Sequence, residues 1–103
     1  MNKNYMRAVP KPWQGIGKVF VALGDEHRQR ILLTFGRAEE LTAGEIAAVS
    51  TLSRPAVSHH LKILREAGVL QSRKEGREIW YRVDKELLTG SLGAVLAYIA
   101  QEV

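Results

Sequence analysis

The chain of 103 residues contains no cysteine, which removes disulfides, thiolate metal sites and thiol redox sensing in any compartment. It also lacks long apolar runs. Its start, "MNKNYMRAVPKPWQG", is basic but leads into no uninterrupted stretch of the length a signal peptide or membrane span requires, so a cytoplasmic location and no membrane partner are expected. Histidine is confined to His27, His59 and His60. No Ser/His/Asp order, paired catalytic carboxylates, glycine-rich phosphate loop or metal motif of recognised spacing is present. Catalysis would need a base or nucleophile held by a second group, and the expectation is that the chain is not an enzyme and carries no cofactor.

Hydrophobic residues make up 46% of the chain and charged residues 25%, an ordinary globular composition for one domain. A domain of this size buries only a modest share of its unfolded surface, and a core shared with a second copy would help it. The net charge of +4 is unevenly placed: residues 54–82 carry seven Lys/Arg against three acids, whereas 31–53 carry one against three. A polyanion-binding face requires such a basic segment.

The pattern predicts an N-terminal arm over 1–12, with Pro10 and Pro12, and a domain over 13–103. Trp13, Ile16, Phe20 and Leu23 recur at helical spacing, giving a first helix over about 13–23. Gly24 stops it and Asp25 caps a second helix, about 26–36, with Ile31, Leu32 and Phe35 on one face. In "LTAGEIAAVS", Thr42 and Glu45 form a capping box before a short helix with Ile46 and Val49 on its apolar side. Ser53 then caps a helix with Pro55 in its first turn, Val57, Leu61 and Leu64 on one stripe, and Gly68 at its end. Two short helices joined by a tight turn are the helix-turn-helix arrangement.

The period next changes to two. "VLQSRK" and "REIWYRV" flank "EG", which predicts a hairpin turning at Gly76, with Ile79, Tyr81 and Val83 inward, Trp80 and Arg82 outward, and Arg73, Lys74 and Arg77 at the tip. Asp84 to Val103 is again helical in pattern, with Leu88, Leu92, Val95 and Ile99 on one stripe and Leu87, Ala94 and Tyr98 on a second. A terminal helix apolar on two sides needs two surfaces to cover it, and a partner subunit is the expected second one.

The stretches "ALGDEHRQRILLTF" and "LTAGEIAAVSTLSRPAVSHHLKILREAGVLQSRKEGREIWYRVD" closely resemble the ArsR (arsenic-repressor) family of small winged-helix transcriptional repressors, over roughly residues 20–84. The resemblance implies a bacterial or archaeal regulator of mainly α fold, with about five helices and a two-stranded wing. It implies a homodimer formed through the first and last helices, here Trp13, Ile16, Phe20, Leu88, Leu92, Val95, Tyr98 and Ile99, bound to an imperfect inverted repeat in double-stranded DNA. The expected DNA contacts are Ser53, Arg54, Ala56, Ser58, His59, His60 and Lys62 on the helix after Ser53, with Arg73, Lys74 and Arg77 on the wing. Arg54 suits bidentate recognition of guanine, and the wing cations suit phosphates or the minor groove. The alternative is a winged-helix module for protein interaction or for DNA binding without sequence choice.

Many members of the family sense metals through cysteines in the helix-turn-helix or through carboxylate and histidine ligands on the last helix. Here the first of those helices has neither cysteine nor histidine and the last has no histidine, so no metal site is expected. An organic ligand, a protein inducer or no inducer at all remains, and Trp13, Phe20 and Tyr98 are candidates to line an interfacial pocket. The doublet His59-His60 does not change this, since neighbouring helical residues point about 100° apart and do not easily share an ion. His59 falls on the polar side as a DNA contact. His60 falls at the edge of the apolar stripe as a packing and orienting residue, with a phosphate contact as its second role.

Overall fold

A computed structural model describes all residues, 1–103. Two 3-10 turns, Lys3–Tyr5 and Lys11–Trp13, precede helices α1 (Ile16–Leu23) and α2 (Glu26–Thr34). Then come a short strand β1 (Leu41–Thr42), helices α3 (Ala43–Val49) and α4 (Arg54–Glu66), strands β2 (Leu70–Glu75) and β3 (Glu78–Val83), and helix α5 (Lys85–Glu102).

The helix starts follow from side chains that accept from otherwise orphaned amides. Asp25 accepts from the Arg28 amide at 3.1 Å and Asp84 from the Leu87 amide at 3.0 Å. Thr42 and Glu45 satisfy each other's amides at 3.0 and 2.9 Å, completing the capping box. Ser53 accepts from the Ala56 amide at 3.3 Å.

Val57, Leu61 and Leu64 of α4 lie at the centre of a core that also takes Val19 and Ala22 from α1, Ile31 and Phe35 from the second helical segment, Ile46 from α3, and Val69, Leu70 and Tyr81 from the sheet region. The expected α4 stripe is therefore the middle of the molecule. Three antiparallel strands stand in the order β1-β3-β2, with Leu41 opposite Tyr81 and Thr42 opposite Trp80. The wing thus has a third strand beside the two expected. A two-residue strand is too short to display an alternating pattern, and it forms because β3 offers it a free edge.

Four details differ from the sequence expectation. Helix α1 begins at Ile16 rather than near Trp13, and its buried residues are Ile16, Val19 and Ala22, while Phe20 is 46% exposed. Apolar residues surround this helix, so more than one stripe can be drawn along it. Ile16, expected at the dimer interface, is only 4% exposed within its own chain and is already covered without a partner. Val49 is exposed, and α3 packs through Ile46 with Ala43 and Ala47 instead. In the hairpin Ile79 is exposed and Trp80 half-buried, with only Tyr81 fully inward. The outer part of the wing has no core beneath it, so alternation there does not translate into burial.

Helix α5 has no fully buried residue. Leu87 and Leu88 pack against the core, and the Tyr98 ring meets the Trp13 ring edge to face, 5.7 Å between centroids. Leu96 and Ile99 are exposed. The molecule measures 51 × 22 × 21 Å, and no helix is long and apolar enough to cross a membrane.

Candidate nucleic-acid interface

Because Val57, Leu61 and Leu64 turn α4 toward the core, Arg54, Ser58, His59 and Lys62 are left in solvent. No acid pairs with Arg54, and Lys62 is held only loosely by Glu66 at 3.9 Å. An exposed pair of that length contributes little, so the cation is free to meet a phosphate. Ser53 has its hydroxyl engaged as the helix cap, and Ala56 is half-buried. These two frame the start of α4, and the four exposed side chains form its solvent-facing surface.

His60 points elsewhere. Arg28 donates from Nη1 to His60 Nδ1 at 3.2 Å, and from Nε and Nη2 to the carbonyls of Ala22 and Val21 at 2.8 and 3.1 Å. A guanidinium only donates, so Nδ1 is the accepting nitrogen and the imidazole is neutral with its proton on Nε2. Burial, the largest cause, holds the His60 pKa below the usual value; Asp25 opposes this, while Arg28, His27 and His59 reinforce it. The rings of His27 and His59 lie 5.7 and 5.9 Å from that of His60. One arginine therefore ties the last carbonyls of α1 and the side of α4 to α2. Arg28 was not legible as a functional residue, because its role exists only once three helices cross.

On the wing, Gly76 has φ 60°, a conformation that favours glycine. Arg77 follows it in the turn itself, and neither Arg77 nor Lys74 is ion-paired. Arg73 is different. Its Nε and Nη2 donate to the two carboxylate oxygens of Glu40 at 2.9 and 3.1 Å, its Nη1 donates to Glu75 at 2.6 Å, and its guanidinium sits 5.4 Å over the Trp80 ring. Glu40 before Glu75 raises the arginine pKa further, and Arg73 in turn lowers that of Glu40.

Of the residues expected at the dimer interface, Trp13 and Tyr98 pack on one another, Leu88, Leu92 and Val95 are half-buried, and Phe20 and Ile99 are exposed. A cleft of about 730 Å³ opens at a distance in sequence from the Trp13, Phe20 and Tyr98 set, between the end of α2 and the start of α5, with Leu32, Phe35, Val83 and Leu88 among its walls and Arg37, Arg82 and Lys85 beside them. No three His, Asp or Glu side chains of the chain converge so as to hold a metal ion.

The helix-turn-helix domain family matches residues 23–73. The transcriptional repressor SdpR of Bacillus subtilis is 34% identical over 84 residues, covering 82% of this chain and 92% of that protein. An arsenic resistance transcriptional regulator of Pseudomonas putida is 41% identical over 69 residues, covering 67% of this chain and 54% of that longer protein. Among solved structures, an ArsR-like transcriptional regulator from Rhodococcus sp. RHA1 superposes with a TM-score of 0.75 at 36% identity, over 84% of this chain and 81% of the other. HlyU from Vibrio cholerae gives 0.66 at 26% identity, over 90% and 98%. With a capped helix-turn-helix, a basic wing and these relatives along most of its length, the chain belongs to the ArsR family of winged-helix transcriptional regulators.

Proposed function

We propose that the protein is a homodimeric repressor that binds an inverted repeat in double-stranded DNA, with α4 in the major groove and the wing along the neighbouring backbone. The observation that carries this reading is the exposed face of α4, where Arg54, Ser58, His59 and Lys62 stand clear of strong internal partners. A helix enters the major groove with its first turns on base edges, and cations farther along hold phosphates. Arg54 is the base reader, Ser58 and His59 donate to a base edge or phosphate, and Lys62, Lys74 and Arg77 neutralise phosphates. Ser53 and Ala56 set the start of the helix, and His60 orients it through Arg28.

Dimerisation supplies the second half-site and covers Phe20, Leu92, Val95, Leu96 and Ile99. Neither α3 nor α5 contains the cysteine or histidine ligands of the familiar metal-sensing sites. Relief of repression through an organic ligand or a protein partner fits this composition better than relief through a metal ion.

Selection of duplexes from a random library by the purified protein, followed by footprinting, tests the reading. It requires an enriched two-fold repeat with affinity that falls steeply as salt rises. Protection of no defined site would leave an architectural binder, and no binding even at low salt would leave a protein-interaction module.

A further inference from the structure

Arg73 is a wing cation by sequence, yet every polar end of its guanidinium is engaged inside the chain. It stands directly opposite Trp80 on β3, and Trp80 stands opposite Thr42 on β1. To reach Glu40, just before β1, the arginine crosses the middle strand of the sheet, lying over the Trp80 ring as it does so. Exposed ion pairs are usually weak, with two exceptions: bidentate geometry and membership of a network. This one has both, since Glu40 takes two donors, Glu75 a third, and the indole supports the cation from below.

From this juxtaposition we infer that Arg73 and Glu40 form a brace across the three-stranded sheet that sets the angle of the wing, so that Arg73 is a positioning residue for DNA binding and Lys74 and Arg77 are the cations it positions. The inference rests on the DNA-binding reading above. The hairpin beyond Arg73 has no core under it: Lys74, Glu75, Glu78 and Ile79 are all exposed. Without the brace the tip is held only by its own ladder, and a two-stranded ribbon alone is marginal. The last segment with fixed support is therefore the Glu40-Arg73-Trp80 crossing.

The brace and a direct phosphate contact by Arg73 predict opposite results at two positions. Glu40→Gln removes a negative charge near the DNA face and breaks the bidentate pair. Simple electrostatics would tighten binding, whereas loss of the brace weakens it. Arg73→Lys keeps the charge that a phosphate contact needs but gives up the planar fork and its stacking, so a brace fails where a phosphate contact survives.

The probe is a duplex enriched from a random library by the wild-type protein, assayed by gel shift across a salt series and by hydroxyl-radical footprinting. Glu40→Gln and Arg73→Lys are each expected to weaken binding about three- to tenfold and to lower the salt dependence by about one phosphate contact per wing, although Glu40→Gln removes no cation. Footprint protection is lost at the wing's backbone contacts and kept at the bases read by α4, a pattern that general unfolding would not produce. Melting curves identify a variant that fails to fold, and the other then carries the test. Tighter or unchanged binding by Glu40→Gln, or wild-type binding by Arg73→Lys, overturns the brace. Failure of the wild type to enrich any sequence overturns the DNA reading itself.

Discussion

Arg54 and His60 lie on the same helix, one exposed and unpaired and the other accepting a hydrogen bond from Arg28. Their environments divide their work. Replacing Arg54 with Ala should relax base preference at one position of each half-site at a cost of about 1–3 kcal/mol; an equal loss on all sequences in a binding competition would make it a phosphate contact instead. His60 makes a prediction about pH. Its folded pKa is depressed, first by burial, so the unfolded chain takes up the proton more readily than the native one. The stability that neutral His60 contributes is complete above its unfolded pKa of about 6.5 and declines as pH falls from there toward the lower native value. Melting temperatures of the wild type and of His60→Gln, followed from about pH 7.5 to pH 5, should converge as acid is added, since Gln still accepts from Arg28 but takes no proton. Parallel curves would remove His60 from the acid sensitivity.

At the scale of elements, the capped helices were the most legible part of the chain, because a cap is a local pairing of residue types: Asp25, Thr42 with Glu45, and Ser53 all accept where a helix begins. Strand β1 was illegible because two residues carry no period, and the α1 stripe was legible at Ile16 and Leu23, which pack inward, but not at Phe20, which is exposed, because apolar side chains occupy most sides of that helix. The solvent-facing side of α4 could be read from its spacing against Val57, Leu61 and Leu64. The engagement of Arg73 could not, since Glu40 is 33 residues away. Thr42→Ala should cost about 1 kcal/mol in denaturant unfolding through loss of the capping box. A larger effect is expected where α4 turns into β2. Gly68 has φ 84°, and an added Cβ would come within 2.6 Å of Leu87 Cδ1, one of the residues that seat α5. Gly68→Ala combines left-handed strain with that clash and should destabilise by about 2 kcal/mol or more. A variant as stable as the wild type would show that neither the left-handed backbone nor the Leu87 contact costs stability.

The whole molecule is a compact helix-turn-helix body with a long last helix that its own chain leaves incompletely covered. None of its 18 residues is buried, and Leu96 and Ile99 face solvent beside a core too small to take them. In the proposed dimer a second copy covers that exposure and brings a second α4 with it, joining stability to function. Leu96→Glu together with Ile99→Glu should convert a dimer to a monomer in sedimentation and reduce specific DNA binding with it; a dimer that persists would place the interface elsewhere. In the proposed complex two α4 helices related by two-fold symmetry read two half-sites. Footprinting of the wild-type protein on its selected duplex tests this most directly. Two protected half-sites are expected, their centres about 10 base pairs, one helical turn, or a multiple of that apart, with matching inverted sequence. A single unrepeated protected site, or even protection along the whole duplex, would contradict it.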